Sequence, residues 1–170
     1  MGTVVLAGAT SGSTTLTPTD AVTTVITLPS ATCTLAGVGV NLGVTNTNSL
    51  SADVTCNNTG SYFTGPTVGQ GTSGTWFASG HVTLSDSAAT TGTPSTINLK
   101  LWDGSTVIDS ARVSLYVADY ALSFSLSGFL ASPAGNLRIS ANADNSTTVK
   151  MRFNASSNSK DSTITAFRIG

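Results

Sequence analysis

His81 is the only histidine in the 170 residues, so it is the one side chain whose unperturbed pKa suits a general base near neutral pH. Ser and Asp are so plentiful that a Ser-His-Asp triad could be assembled from many combinations, and their presence alone indicates nothing. In the stretch FASGHVTL, His81 alternates with Gly80 and Val82 and shares a strand face with Ser79 and Thr83. We therefore expect a polar residue on the solvent or interface face of a strand, and no catalytic residue in the chain.

All eight acidic residues are Asp, and several of them stand at turn signals. Asp86, Asp103, Asp144 and Asp161 occupy positions where a short carboxylate can hydrogen-bond nearby backbone, so we expect structural roles rather than an acid and base pair. The segment NADNS (142–146) spaces oxygen atoms as a calcium loop does, but it lacks the terminal bidentate carboxylate. We interpret it as a turn, and we expect no metal and no other cofactor.

Cys33 and Cys56 are the two cysteines of the chain. Neither belongs to a CxxC or CxxH pattern, which argues against a metal site. We expect two small buried hydrophobic residues; a disulfide between them and a functional thiol are the alternatives.

The chain carries five aromatic residues that could serve as a platform for stacking sugars. They are Trp76, Phe77, Trp102, Tyr116 and Tyr120. Packing in the core or at a subunit interface is the expectation that we prefer for them.

The composition favours strands and leaves a surface of hydroxyls and amides. Charged residues make up 9% of the chain, against the usual ~25%, and there is no Glu and only three Lys. A chain without Glu and rich in Thr and Val lacks the residues that cover helix surfaces, so almost no helix is expected.

The few charges are unevenly distributed along the chain. Residues 1–99 contain three Asp and no Lys or Arg, whereas residues 100–170 contain all seven basic residues and five Asp. This asymmetry suggests two halves with different roles, but it is too small for a nucleic-acid partner. No stretch approaches the ~18 apolar residues of a membrane span, so no membrane partner is expected. The start also lacks the features of a signal peptide, so we expect a protein that is made in a cytoplasm and is not secreted by that route.

Residues 76–170 show the pattern of an antiparallel β-sandwich, with a jelly roll as the favoured version. In STINLKLW (95–102), apolar and polar residues alternate, which is the period of a half-buried strand. The Asp103-Gly104 pair after it is a hairpin signal. The other predicted strands lie within 76–84, 106–118, 120–130, 136–143, 147–155 and 162–170. We expect an inward-facing set comprising Ile97, Leu99, Leu101, Val113, Leu115, Leu122, Phe124 and Leu126.

The first 75 residues divide into two further segments. Residues 1–37 contain four short strand-like runs, at 2–8, 14–17, 23–29 and 33–37, and are predicted to form an extended attachment arm. Each run is too short to bury an apolar face alone and must pair with a neighbour or with another chain. Residues 38–75 are predicted to be a β-rich connecting region that ends in a Gly-rich loop, GPTVGQGTSG (65–74), which has no Lys to suggest phosphate binding.

Two segments of the chain resemble virion proteins of tailed bacteriophages. Residues 2–37, which read GTVVLAGATSGSTTLTPTDAVTTVITLPSATCTLAG, resemble the Thr/Gly/Ala/Leu-rich arms of such proteins. Residues 136–170, which read NLRISANADNSTTVKMRFNASSNSKDSTITAFRIG, resemble the terminal β-domain of small phage decoration and fibre proteins. The resemblance lies in the overall residue composition of these two segments.

The resemblance implies a non-enzymatic, homotrimeric structural protein on the capsid surface of a virion, with no catalytic or ligand residues to transfer. Within this class a capsid decoration (cement) protein is the expectation, because the chain has no room for the long shaft repeats of a fibre. The arm would bind the major capsid protein by adding strands to sheet edges. A tail- or head-fibre receptor-binding domain and a carbohydrate-binding β-sandwich module, with a cell-surface glycan as partner, are the alternatives.

Overall fold

The computed structural model describes residues 4–7, 13–16, 43–57 and 60–170, which contain strands and no helix. These ranges accordingly hold no helix with the length and apolar character needed to cross a membrane. The strands are β1 (Val4–Ala7), β2 (Ser13–Leu16), β3 (Thr45–Ser49), β4 (Val54–Cys56), β5 (Phe63–Val68), β6 (Thr75–Asp86), β7 (Ser95–Trp102), β8 (Val107–Leu115), β9 (Leu122–Ala131), β10 (Leu137–Ala143), β11 (Val149–Arg152) and β12 (Thr163–Arg168).

Ten of these strands form two antiparallel sheets. The smaller sheet has the order β5-β10-β7-β8. The larger has the order β3-β12-β6-β11-β4, and β9 pairs with the remaining edge of β6. Without the short β4 and β11, each of the two sheets has four strands. The first strand of the sandwich along the chain, β3, lies beside its last strand, β12. This is the strand order of a jelly roll, so the predicted all-β antiparallel sandwich is confirmed.

All seven strands predicted from residue 76 onward are present, as β6 to β12. The hairpin predicted at Asp103-Gly104 joins β7 to β8 through residues 103–106, and Gly104 adopts a φ of 104°, which favours glycine. The Asp103 carboxylate accepts hydrogen bonds from the amides of Ser105 and Thr106 at 2.8 and 2.6 Å, which fixes the turn. The loop is four residues long because Trp102 pairs with Val107.

The core lies between the inner faces of the two sheets. Strand β7 alternates strictly, so that Ile97, Leu99 and Leu101 are buried while the residues between them are half-buried. Of the residues predicted to face inward, Leu115 and Leu126 are also buried, and Val113 and Phe124 pack partly buried against the core.

Leu122 has the predicted inward orientation, since it stands opposite the buried Leu84, but its side chain is 37% exposed rather than buried in the core. It is the first residue of β9. There it lines a cavity of about 200 Å³ with Leu115, Tyr116, Val117 and Tyr120.

Within the segment predicted to be a connecting region, residues 43–57 and 60–75 contribute strands to the sandwich, which corrects the predicted boundary at residue 76. β3 pairs with β12, β4 pairs with β11, and β5 pairs with β10, so both sheets contain strands from this segment. The first residues of the predicted Gly-rich loop belong to β5, where Pro66 is tolerated because β5 is an edge strand. The chain divides into compact units at Met1–Ala36 and Gly37–Gly170.

In the first unit, β1 and β2 pair with each other in antiparallel register, with Val4 opposite Leu16 and Ala7 opposite Ser13. The first two of the four strand-like runs predicted for the arm therefore contain strands. The runs at 23–29 and 33–37, and Cys33 with them, lie outside the described residues.

Asp86 is a fully buried carboxylate at the end of β6. Its oxygens accept hydrogen bonds from the Ser95 and Thr148 hydroxyls and from the Ala88 amide at 3.0 Å. Burial alone would raise the pKa of Asp86, but these hydrogen bonds together hold it below its usual value. Because the donors come from three separate segments, Asp86 ties both sheets and the turn after β6 to one another.

We expect Asp86→Asn to lower the free energy of unfolding by roughly 2–3 kcal/mol, because a charged acceptor of three hydrogen bonds is replaced by a neutral amide. Asp119→Asn is the matched control: Asp119 is exposed, and its φ of 57° is one that Asn tolerates. Urea denaturation at pH 7 measures both.

The pH dependence gives a second check on Asp86. A carboxylate with a depressed folded-state pKa stabilises the protein above its unfolded pKa of about 3.9 and loses this contribution as the pH falls through the folded-state value. The difference in stability between wild type and Asp86→Asn should therefore shrink below about pH 4. A difference that equals the control's at pH 7, or that is undiminished in acid, would show that the carboxylate is not what stabilises this junction.

Candidate functional site

The outer face of the larger sheet carries three rows of side chains without a formally charged residue, apart from the titratable His81. We call it the Phe–hydroxyl face. Cross-strand register places four residues in each row, one each from β3, β12, β6 and β9. The rows are Thr45, Phe167, Phe77 and Phe129; then Thr47, Thr165, Ser79 and Ser127; then Ser49, Thr163, His81 and Ser125. None of the twelve is fully buried.

The first row holds three phenylalanines side by side on neighbouring strands. The ring centroid of Phe77 lies 4.8 Å from that of Phe129 and 5.2 Å from that of Phe167, with the rings tilted by about 50°. Such tilted pairs are a favourable aromatic geometry. Phe129 is nevertheless 63% exposed and Phe167 is 38% exposed. The row therefore presents apolar surface outward that nothing in the described part of the chain covers.

The other two rows hydrogen-bond across the strands through their hydroxyls. Thr47 Oγ1 lies 2.9 Å from Thr165 Oγ1, and Ser49 Oγ lies 2.8 Å from Thr163 Oγ1. Each hydroxyl keeps a free lone pair or a rotatable proton and can donate to or accept from a facing surface. The face is thus polar but uncharged.

His81 lies in the third row, opposite Thr163 and Ser125. Its Nε2 lies 3.2 Å from the Lys160 carbonyl oxygen, and no side-chain hydroxyl or carboxylate among the described residues hydrogen-bonds the ring. The prediction of a polar face residue holds for His81 and Ser79. Thr83 lies on the same face, opposite Ser123, but it is buried there, and its hydroxyl donates to the carbonyl of Asp161 in the loop that joins β11 to β12.

The carboxylates occupy structural positions. Asp86, Asp103 and Asp161 accept backbone amide hydrogen bonds at turns, as predicted. Asp144 differs, because its oxygens accept from the side chains of Asn98 and Arg112 at 2.6 and 2.9 Å. Within residues 43–57 and 60–170, no three His, Cys, Asp or Glu side chains come together as a metal site would require.

Cys56 is fully buried, in agreement with the expectation of a small buried hydrophobic residue. Burial raises the pKa of its thiol to about 12, so it is protonated and unreactive at neutral pH. Its predicted alternative partner, Cys33, lies outside the described residues.

The five aromatic residues that were expected to pack in the core or at an interface, with a sugar platform as the alternative, do not form one surface. Trp76 is 3% exposed, and its Nε1 donates to the Ser73 carbonyl, so it belongs to the core. Trp102 is half-buried on the smaller sheet, whereas Tyr116 and Tyr120 are exposed around the cavity at the end of the sandwich. Phe77 lies in the phenylalanine row.

Phe129 and Phe167 were missed as candidate residues. The signal was present in the alternation of their strands. Phe129 and Phe167 each lie three positions after an inward-facing residue, Leu126 or Ile164, and an odd offset along a strand places a side chain on the opposite face. A phenylalanine at an outward position, flanked along the strand by Ser or Thr on the same face, indicates a contact surface.

No protein-family model matches the chain, and no curated protein matches it significantly. Among solved structures, Eiger TNF from S. frugiperda is similar at 11% identity and a TM-score of 0.49, over 76% of this chain and 94% of that chain. The carbohydrate-binding module CBM6cm-2 from Cellvibrio mixtus lichenase 5A, in complex with cellotriose, is similar at 11% identity and a TM-score of 0.33, over 76% of this chain and 99% of that one. Neither similarity carries an inference about the function of this chain.

The spacing of the strands beneath the Phe–hydroxyl face depends on Gly80. A Cβ at this position would lie 2.6 Å from the Thr163 carbonyl oxygen and 2.9 Å from the Ile164 Cα, both of them backbone atoms of β12. We expect Gly80→Ala to push β12 away from β6 and to lower the free energy of unfolding by about 1–3 kcal/mol. Gly69→Ala is the control, because no atom lies within 4 Å of its added Cβ.

Thermal or urea unfolding of the two variants measures the difference. Equal stability of Gly80→Ala and Gly69→Ala would contradict the close approach of β6 and β12.

Proposed function

We propose that this chain is a non-enzymatic structural protein that assembles as a homotrimer through the Phe–hydroxyl face and decorates the capsid of a tailed phage. The observation that carries the proposal is the row of exposed phenylalanines on an uncharged sheet face. A single exposed apolar residue is ordinary on a protein surface, but contiguous exposed aromatic surface marks an interaction site.

A second copy of the same chain is the partner that this face suits. Identical surfaces that carry charge repel one another or must lose hydration, whereas the three rows of this face contain no Asp, Lys or Arg. Its Ser and Thr hydroxyls both donate and accept, so a copy of the same face can complement them. Aromatic residues are enriched at the centres of such contacts.

The size of the face limits what it can do alone. Four strands about 4.8 Å apart and five residues of about 3.4 Å each give an area of roughly 300 Å². A stable interface buries about 800 Å² on each partner. The Phe–hydroxyl face therefore supplies the centre of the contact, and the contact extends onto the surrounding surface.

Three parts of this proposal rest on the sequence resemblance: that the assembly is a trimer, that it belongs to a phage virion, and that it attaches to the capsid. In the proposal, the arm of residues 1–37 binds the major capsid protein on the virion surface. The pairing of β1 with β2 supports a strand-based attachment, because a two-stranded sheet can take up further strands at its edges. A fibre tip that binds a receptor remains the alternative within the same class.

We expect Phe129→Ser to shift the protein from trimer to monomer, since it removes the most exposed ring of the row. Burying a phenylalanine is worth about 1.5–3 kcal/mol, and each trimer loses three rings. Val107→Ser is the control, because Val107 is 51% exposed on the smaller sheet. Sedimentation velocity at micromolar concentration gives the assembly state, and circular dichroism confirms that both variants are folded.

A wild-type protein that sediments as a monomer would refute the assembly. A folded Phe129→Ser variant that trimerises as well as wild type would place the contact on another surface.

Deleting residues 2–29 tests the attachment. We expect a folded β-sandwich that no longer co-sediments with heads purified from the phage that encodes it, because the strands added to the shell are gone. Full occupancy by the truncated protein would show that the sandwich itself is the anchor. Failure of the truncated protein to fold would show that the arm belongs to the core.

A further inference from the structure

The outer face of the smaller sheet carries two cations packed on aromatic rings. We call the group of Tyr62, Lys100, Trp102 and Arg138 the cation–aromatic cluster. The Lys100 Nζ lies 3.3 Å from the ring centroid of Trp102 and 3.8 Å from that of Tyr62, and the two centroids are 6.5 Å apart. The ammonium group is therefore held between the two rings. The Arg138 Cζ lies 4.9 Å from the same Trp102 ring.

The strands fix these positions. Lys100 and Trp102 are two residues apart on β7 and share its outer face, and Arg138 on β10 stands directly opposite Trp102. The Trp102 Nε1 donates to Ser140 Oγ at 2.9 Å, which holds the indole in place. The cluster is thus a preformed part of the sheet surface.

Neither cation has an anionic partner in the described part of the chain. The ion pairs there join Arg112 to Asp144 and Arg152 to Asp53. The nearest acidic residue in sequence, Asp103, directs its carboxylate to the backbone amides of its own turn and of Ala134.

The hydrogen-bonding groups of the two cations also indicate that an anionic partner is missing. The Arg138 Nε is buried and has no hydrogen-bond partner. Burial and the neighbouring Arg138 charge lower the pKa of Lys100, in the direction expected for two cations that no carboxylate offsets. Aromatic contact supplies the two cations with π-faces but accepts few of their N–H donors.

The surroundings of the cluster suit a sugar. Ser110 is exposed and stands directly opposite Lys100 on β8, and Thr64 is exposed at the other end of the same cross-strand row, beyond Ser140. Tyr62 is 38% exposed, which leaves aromatic surface open for contact with a sugar ring. The cluster lies on the outer face of the sheet and its Lys100, Trp102 and Arg138 are partly exposed, which fits a chain of sugars lying across the strands.

We propose that the cation–aromatic cluster binds an acidic saccharide, whose carboxylate or phosphate oxygens accept hydrogen bonds from Lys100 and Arg138 while its ring packs against the exposed edge of Tyr62. The cluster lies on the smaller sheet and the proposed assembly face on the larger one, so binding of the saccharide does not depend on the assembly.

Isothermal titration calorimetry with full-length protein tests the site against a glucuronic acid hexasaccharide, glucose 6-phosphate, a neutral glucose hexasaccharide and inorganic phosphate. We expect at least one of the two acidic sugars to bind, and the neutral hexasaccharide and inorganic phosphate to bind at least about tenfold more weakly. Binding should weaken as salt is raised, because a charge contact at the surface is screened. No binding of either acidic sugar, or equal binding of the neutral hexasaccharide, overturns the proposal. Equal binding of inorganic phosphate overturns the saccharide part of it.

Substitutions locate the binding. Lys100→Met keeps the length of the side chain between the two rings and removes the charge, so we expect about a tenfold or greater loss of affinity. Lys100→Arg retains the charge and should bind measurably better than Lys100→Met. Lys160→Met is the control, because Lys160 is exposed on the loop between β11 and β12. Arg138→Met provides a second, independent removal of charge.

Equal affinity of wild type, Lys100→Met and Arg138→Met, each shown by circular dichroism to be folded, would exclude the cluster as the binding site. An equal loss of affinity in Lys160→Met would show that the effect is one of overall charge and would exclude it as well.

Discussion

The larger sheet depends on one strand, β6, whose backbone is hydrogen-bonded to three others. Its twelve residues are long enough for β12 and β11 to pair one after the other along one edge, while β9 pairs along the other. The side chains of β6 therefore decide both faces of the sheet. Trp76, Ala78 and Val82 enter the core, and the residues between them, beginning with Phe77, face outward. A slip of one residue would exchange the two sets, so the burial of the core also fixes the position of the exposed phenylalanine row.

The chain has few charged residues, and its buried carboxylates are stabilised without basic partners. The buried carboxylates of Asp86 and Asp103 are satisfied by hydroxyls and backbone amides at turns. This arrangement needs no counter-ion, because several hydrogen bonds to the ionised form replace the water that burial removes. Because charged residues make up only 9% of the chain, few charged side chains remain for the outer faces of the sheets. On the larger sheet, hydroxyls cover the outer positions that Lys and Glu occupy in a typical soluble protein.

Most strands were predictable from the sequence because one of their faces is apolar. The alternation in β7 and β9 identifies each strand and its inner face without any knowledge of the neighbours. Strand β3 was not predictable, because its residues TNTNS are all polar and it is held by backbone pairing with β12. The candidate site shows the same limit. The outward positions of Phe129 and Phe167 follow from alternation, but their meeting with Phe77 follows from pairings between strands far apart in the chain, which a single sequence does not specify.

The two outer faces of the sandwich differ in chemistry, and this difference separates the two proposed roles. The Phe–hydroxyl face is uncharged and apolar at its centre, which favours contact with other copies. The cation–aromatic cluster lies on the opposite sheet, with Lys100 and Arg138 directed away from the core. Assembly through the first face would therefore leave the second open, and a trimer would present three clusters at once. Three weak sites on one trimer would bind a repeating acidic polymer far more tightly than one site does, because the second and third contacts would be intramolecular. A site that is open and shallow on each sandwich is adequate for such a ligand, since the number of contacts rather than the depth of any one of them would set the affinity.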